Sequence, residues 1–282
     1  MSPTEKDQDF SLRFWGVRGT IACPGPQFAR YGGNTSCIEV QCGDYRFILD
    51  GGTGLRPLGE YLLAEGKPFD LDLYLTHTHL DHIAGLPFFP PMFKAGNKIR
   101  ILCGHLHDSD EKLRDVIVRM TAAPLFPVPL EAFSANLEFI DFHSGDTLRP
   151  RPGVTIRTAP LNHPNGATAY RIEFDGRSIC YVTDCEHTEG GPDQPLIDFI
   201  RGTDIFIYDS TFTDDEYPNF QGWGHSTWQE GVRLAKAAEV GQFVVFHHAP
   251  EHPDEKMDAI ADAAHAPFQR SIVAREGMVL RP

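Results

Sequence analysis

Short apolar runs separated by turn residues recur along the chain. Residues 36–42 (SCIEVQC), 45–50 (YRFILD), 71–76 (LDLYLT) and 98–103 (KIRILC) are rich in β-branched and aromatic side chains and bounded by Gly or Asp, which predicts strands. Over 55–65, 110–121, 226–240 and 254–266 the apolar positions fall three or four residues apart, the period of helices with one buried face. Strands and helices interleave, so the predicted class is α/β. Gly43-Asp44 and Asp175-Gly176 each join two strand-like runs and predict hairpins, which makes the sheets mixed rather than purely parallel. No internal repeat is visible in the sequence. Two stretches rich in proline and aromatics, Leu86–Phe93 and Pro124–Pro129, fit equally the wall of a pocket and packed surface turns.

Composition narrows the class. The 282 residues, 41% hydrophobic and 23% charged, have the balance of a folded chain, read as a single domain over 1–282. No apolar stretch approaches the roughly 20 residues that cross a bilayer, and the opening MSPTEKDQDF has no leader pattern. Six cysteines without a C-x-x-C pair fit a reducing cytoplasm. Lys and Arg number 25 against 39 Asp and Glu, and the net charge of −14 is expected to repel a polyanion. A nucleic-acid polymer is therefore not expected as partner, nor is a membrane, and a homodimer is compatible.

The thirteen histidines carry most of the chemistry. Thr76–His82 reads THTHLDH directly after the run LDLYL, which puts His77 at a strand end. His77 and His79 point the same way along an extended chain, while Asp81 and His82 fall in the following turn, so one loop can serve two metal ions. The same signature, an apolar run ending in His or Asp, recurs at His163, at Asp184 and at the pair His247-His248. Asp184 has two carboxylate oxygens with which to bridge two ions.

This order, H-x-H-x-D-H followed by a distant His, Asp and His, resembles the metallo-β-lactamase superfamily. YDSTF at 208–212 and GHSTW at 224–228, followed by FHHAP, resemble its branch of ribonuclease Z-like phosphodiesterases. The resemblance runs from about Phe14 to the last helix, and includes FWGVRGT, YGGNTSCIEV and LDGGTG. It implies an αββα sandwich of two mixed sheets flanked by helices. It also implies that His77, His79 and His163 hold one ion, that Asp81, His82 and the final His hold the other, and that Asp184 bridges. Aligning VVFHH on the family pattern assigns the final ligand to His248. Asp50, ending YRFILD, is either a carboxylate that orients a ligating imidazole or a plain turn residue.

The donors are all nitrogen or oxygen, which suits two zinc ions and also manganese or iron. Two ions roughly 3.5–4 Å apart share a hydroxide for in-line attack on a phosphodiester. His225, just before the caps Ser226 or Thr227 of a predicted helix, is the expected proton donor to the leaving alkoxide, with Asp209 orienting it. Asp81 is counted with this pair among the catalytic residues as well as among the ligands. The expected activity is hydrolysis of a cyclic nucleotide or a sugar cyclic phosphate. Ribonuclease Z-like transfer-RNA 3′ cleavage is the alternative, ranked lower because only 24 residues separate Asp184 from Asp209, too few for a protruding RNA-gripping arm. Lactone, thioester or β-lactam hydrolysis uses the same cradle but does not require Asp209 and His225. A di-iron oxygenase is disfavoured by His79, where such relatives carry Glu, and a catalytically silent scaffold by the completeness of the set.

Overall fold

A computed structural model of the chain describes residues 10–107, 109–187 and 193–282, so nearly all of the opening stretch scanned for a leader lies outside the described residues. Both predicted hairpins form: Cys42 pairs with Tyr45 across Gly43-Asp44, and Phe174 with Arg177 across Asp175-Gly176. The first belongs to a sheet built from β1 (Phe10–Gly16), β2 (Cys37–Cys42), β3 (Tyr45–Leu49), β4 (Asp70–Leu75), β5 (Lys98–Cys103) and β6 (Asn136–Asp141). The second sheet contains β7 (Thr147–Arg151), β8 (Val154–Leu161), β9 (Ala167–Phe174), β10 (Arg177–Val182), β11 (Ile205–Asp209), β12 (Gln242–Phe246) and β13 (Ser271–Val273). The last strand, β14 (Val279–Leu280), returns to the first sheet beside β1.

The two sheets repeat one topology. Strands β1 to β3 are antiparallel and β3 to β6 parallel; likewise β8 to β10 are antiparallel and β10 to β13 parallel. No sequence period announces this, because what recurs is the pattern of burial and not the residues.

Parallel strands covered on both faces should be apolar throughout. All five residues of β11 (IFIYD) are buried, as are five of six in β4. Their inner faces interlock between the sheets through Phe14, Phe47, Ile172, Ile207 and Phe246. Over the outer face of the first sheet lie α1 (Leu55–Leu63), the single turn α2 (Leu80–Ile83) and α3 (Leu113–Thr121), burying Leu58, Leu62, Ile83 and Ile117. The second sheet is covered by α4 (Gln194–Ile200), α5 (Trp228–Ala237) and α6 (Asp254–His265), through Leu196, Ile200, Leu234 and Met257. The layers are helix, sheet, sheet, helix. Among the described residues no helix is long and apolar enough to cross a membrane.

Parallel pairing aligns strand ends. Leu49 lies beside Tyr74, Val182 beside Tyr208, and Asp209 beside Phe246, so the carboxyl ends of β3, β4, β10, β11 and β12 gather on one rim. The sheets are tied there by Thr168 N to Thr76 O at 2.9 Å and by the Tyr181 hydroxyl to Asp50 Oδ2 at 2.8 Å. The two Pro-rich stretches pack on each other, Phe88 against Phe126 with ring centroids 5.5 Å apart. Phe88 and Leu125 remain exposed.

Candidate metal centre

Each strand on that rim ends in a residue of the constellation. Three of them, Asp50, Asp184 and His247, stand just past their strands at φ of 61°, 54° and 61°. The left-handed region is sparsely populated by residues with a Cβ, and such strain persists where surrounding structure over-determines it. Here it turns the side chain out of the pleat and toward the space between the sheets.

Two clusters result to either side of the Asp184 carboxylate, and Asp209, His225 and His247 form a third group beside the second. In the first, one ring nitrogen each of His77, His79 and His163 lie within 4.8 Å of one another. In the second, Asp81, His82, Asp184 and His247 do the same. Asp184 Oδ2 is 3.7 Å from His77 Nε2 and from His163 Nε2, while Oδ1 is 3.1 Å from His82 Nε2 and 3.2 Å from His247 Nε2. One carboxylate thus presents one oxygen to each cluster.

The hydrogen bonds behind the imidazoles aim lone pairs inward. His163 Nδ1 donates to Gly224 O at 2.8 Å, leaving Nε2 to face His79 Nδ1 at 3.0 Å. His82 Nδ1 bonds Asp50 Oδ2 at 2.8 Å, and His82 Nε2 faces His247 Nε2 at 3.3 Å. His77 Nε2 is buried and has no hydrogen-bond partner. Ring nitrogens held face to face, with an orphan beside them, match the donor set of a cation. Divalent ions fit both clusters.

Electrostatics distinguishes the two clusters. Burial drives the His77, His79 and His163 imidazoles below the usual histidine range, toward the neutral form a metal requires. Burial also disfavours charge on His82, but Asp184, Asp81 and Asp50 overcome it and hold His82 well above that range. Asp184 is kept ionised despite burial by His247, His82 and His77.

Asp50 is no plain turn residue. It accepts from Thr76 N at 2.8 Å, from His82 Nδ1 and from the Tyr181 hydroxyl, all fully buried. It fixes the imidazole of His82, one of the two roles open from sequence.

The final histidine is a correction. His248, expected to close the second cluster, instead points its Nε2 at Ala274 O at 2.8 Å, and burial lowers its pKa to about 3. His247 takes that place, 3.3 Å from Asp81 Oδ2. Its Nδ1 donates to the Thr211 hydroxyl at 3.0 Å, which in turn donates to Asp209 Oδ1 at 2.8 Å. The chain leaves the extended conformation at His247, a break that aligning VVFHH on the family pattern does not register.

His225 lies at the mouth between the clusters. Its Nδ1 is 2.9 Å from Asp209 Oδ2 and 3.8 Å from Asp184 Oδ2. Thr227 caps α5, accepting from Glu230 N at 3.0 Å, so of the two caps read from sequence Thr227 is the one used. Sequence reasoning missed Glu186. Its carboxylate accepts from Gly222 N at 2.7 Å and Gly224 N at 2.8 Å, bracing the loop whose Gly224 O orients His163. A Cβ on Gly224 would stand 2.2 Å from His163 Nδ1, so the contact demands glycine. Nothing in the local pattern around Glu186 signals this, since its partners lie about 36 residues away. Of the histidines left without a role, His187 bonds Ser226 Oγ at 2.8 Å and His105 bonds Thr78 and Cys103, both as local packing partners.

A sandwich of two mixed sheets with a two-cluster cradle of His and Asp on its rim defines a metal-dependent hydrolase with a dinuclear site. The chain belongs to the metallo-β-lactamase superfamily, in its ribonuclease Z-like branch: the family described as "Beta-lactamase superfamily domain" matches residues 45–248. It is similar to ribonuclease Z of Bradyrhizobium sp. (strain ORS 278), 28% identical over 89% of this chain and 94% of that one. It is 30% identical to ribonuclease Z of Thermoplasma volcanium over 86% of this chain and 89% of its relative. Among solved structures, the metallo-β-lactamase fold protein YhfI from Bacillus subtilis superposes with a TM-score of 0.72 at 20% identity, covering 97% of this chain and 99% of that one.

These relatives overturn one expectation. The net charge of −14 does not exclude a nucleic-acid polymer as partner, since similarity to ribonucleases extends over nearly the whole chain. Net charge sums the entire surface, whereas a phosphate meets only the local field, which bound divalent cations invert.

Proposed function

We propose that the protein is a dinuclear metal-dependent phosphodiesterase that cleaves RNA, with the 3′ end of a transfer-RNA precursor as the substrate to try first. The observation that carries the proposal is the pairing of the Asp184-bridged clusters with a histidine, His225, held by Asp209 beside them. The ribonuclease Z relatives support the choice of RNA.

In this reading His77, His79 and His163 hold one ion, Asp81, His82 and His247 the other, and Asp184 both. Zinc is the first candidate for this donor set, with manganese and iron next. Ions held there supply Lewis acidity that brings the ionisation of water near neutrality and neutralises phosphate charge. The protein's own groups do the rest. Asp50, Gly224 O and Thr211 orient His82, His163 and His247; Asp209 keeps His225 protonated, with its Nε2 free to give a proton to the departing ribose oxygen.

One observation favours a second reading, a small cyclic phosphodiester: only 24 residues separate Asp184 from Asp209, with α4 and part of β11 among them, a short span for a protruding arm. Purified protein loaded with zinc should be assayed on a transfer-RNA precursor with a 3′ trailer, on cyclic nucleotides and on cyclic sugar phosphates. Specific 3′ cleavage supports RNA as substrate. Turnover of a cyclic phosphodiester without RNA cleavage would replace it with the second reading.

A further inference from the structure

The motif FWGVRGT has so far no part in the site, yet its last two residues, Gly19 and Thr20, touch the second cluster from a direction no ligand comes from. Val17 O accepts from His248 N at 3.0 Å, and Gly19 N donates to His248 O at 3.1 Å, so the segment lies alongside the end of β12. Gly19 faces the imidazole of His247: a Cβ there would stand 2.4 Å from both Nδ1 and Cε1. Thr20, held at φ 63°, donates its main-chain N–H to Asp81 Oδ2 at 2.7 Å. Two members of one cluster are thereby located by adjacent residues.

Arg18 anchors that segment. It is wholly buried, and among the described residues it forms no ion pair. Its Nε donates to Gly32 O at 2.8 Å, and Nη1 to His252 O at 2.7 Å and Ala249 O at 3.2 Å, while the guanidinium lies over the ring of Phe28. A buried guanidinium bonded only to carbonyls, with its Nη2 left without a partner, is costly to maintain. What it accomplishes is to fasten residues 249–252, just past His247, to the N-terminal loop that carries Gly19 and Thr20.

We propose that Arg18, Gly19 and Thr20 form a positioning clamp for the Asp81, His82, Asp184 and His247 set, fixing its geometry and hence its affinity for one of the two ions. The clamp touches no member of the His77, His79 and His163 set, so its effect is confined to one cradle. This rests on the dinuclear reading above.

The test is titration of metal-free, full-length protein with Zn²⁺ by calorimetry and equilibrium dialysis, and with Co²⁺ by visible absorption. Wild type should take up two ions. Gly19→Ala should bind the first ion as wild type does and the second about 10- to 100-fold more weakly, the usual scale when an outer partner of a ligand is lost. Ile21→Ala, an exposed neighbour, should match wild type in both steps. Should Gly19→Ala lose its cooperative thermal transition, Arg18→Lys, which keeps the charge but not the forked grip, should show the same selective weakening. Unchanged affinities in the folded variant, or equal weakening of both steps, would overturn the clamp. A wild type that binds no ion would overturn the dinuclear reading itself.

Discussion

His225 Nδ1 sits 2.9 Å from Asp209 Oδ2, a carboxylate with no solvent exposure that also accepts from Thr211 N and Cys185 N. This leaves the other ring nitrogen as the one able to serve substrate. His225→Ala should retain two metal ions and lose about 10²- to 10⁴-fold in rate on a ribose-type phosphodiester, with a far smaller loss on bis(p-nitrophenyl) phosphate, whose leaving group needs no proton. Asp184→Ala should lose metal and both activities. Metal analysis beside the two rate assays checks this; a His225→Ala protein short of metal would place His225 in the cradle.

Burial works against a charged His225, but Asp209, with Asp184 and Asp81 behind it, raises its pKa to about 9. A raised folded-state pKa contributes stability that is fully present below about 6.5, the unfolded value, and is lost as pH rises through about 9. An acid so poised stays protonated across the neutral range. Asp209→Asn should shift the titration of His225, followed by NMR on metal-free protein, toward lower pH, and move the alkaline limb of the rate profile on a ribose-type substrate the same way. An unmoved limb would mean that another group donates the proton.

Glu186 braces the Gly222–Gly224 turn through two main-chain bonds, and that turn orients His163. Glu186→Ala should weaken the ion held with His77 and His79 by about 10- to 100-fold and leave the other step of a zinc titration nearly unchanged.

Asp50 plays the corresponding part for His82. Asp50→Ala should strip the second ion selectively. It should also lower the melting temperature of the metal-free protein, because Thr76 N and the Tyr181 hydroxyl lose a buried acceptor, each orphaned donor costing about 1–3 kcal/mol. Calorimetry of the metal-free variant reads this directly.

Ile207 fills the space between the sheets on β11 with no solvent exposure. Ile207→Ala should cost about 2–5 kcal/mol, measured by urea unfolding, without changing which ions bind.

Local sequence was enough for whatever is local in space. The run THTHLDH holds four donors within six residues at a strand end, and the hairpins at Gly43-Asp44 and Asp175-Gly176 are set by their own turn residues. Four of the helices, α1, α3, α5 and α6, and the four strands β2 to β5 followed from periodicity for the same reason. Other features depended on contacts between distant segments. Whether His247 or His248 faces the cradle turned on a left-handed residue just past β12, and matching VVFHH to the family pattern does not register such a break. That Asp50 orients a ligand and Glu186 braces one depends on partners 32 and 36 residues away, brought close only when β3 pairs with β4 and β10 with β11. The repeated topology of the two sheets was hidden because burial selects for apolar character and not for particular residues. Nor could net charge decide the substrate, because it averages a surface of which only the cradle, with its own fold-dependent field, meets a substrate.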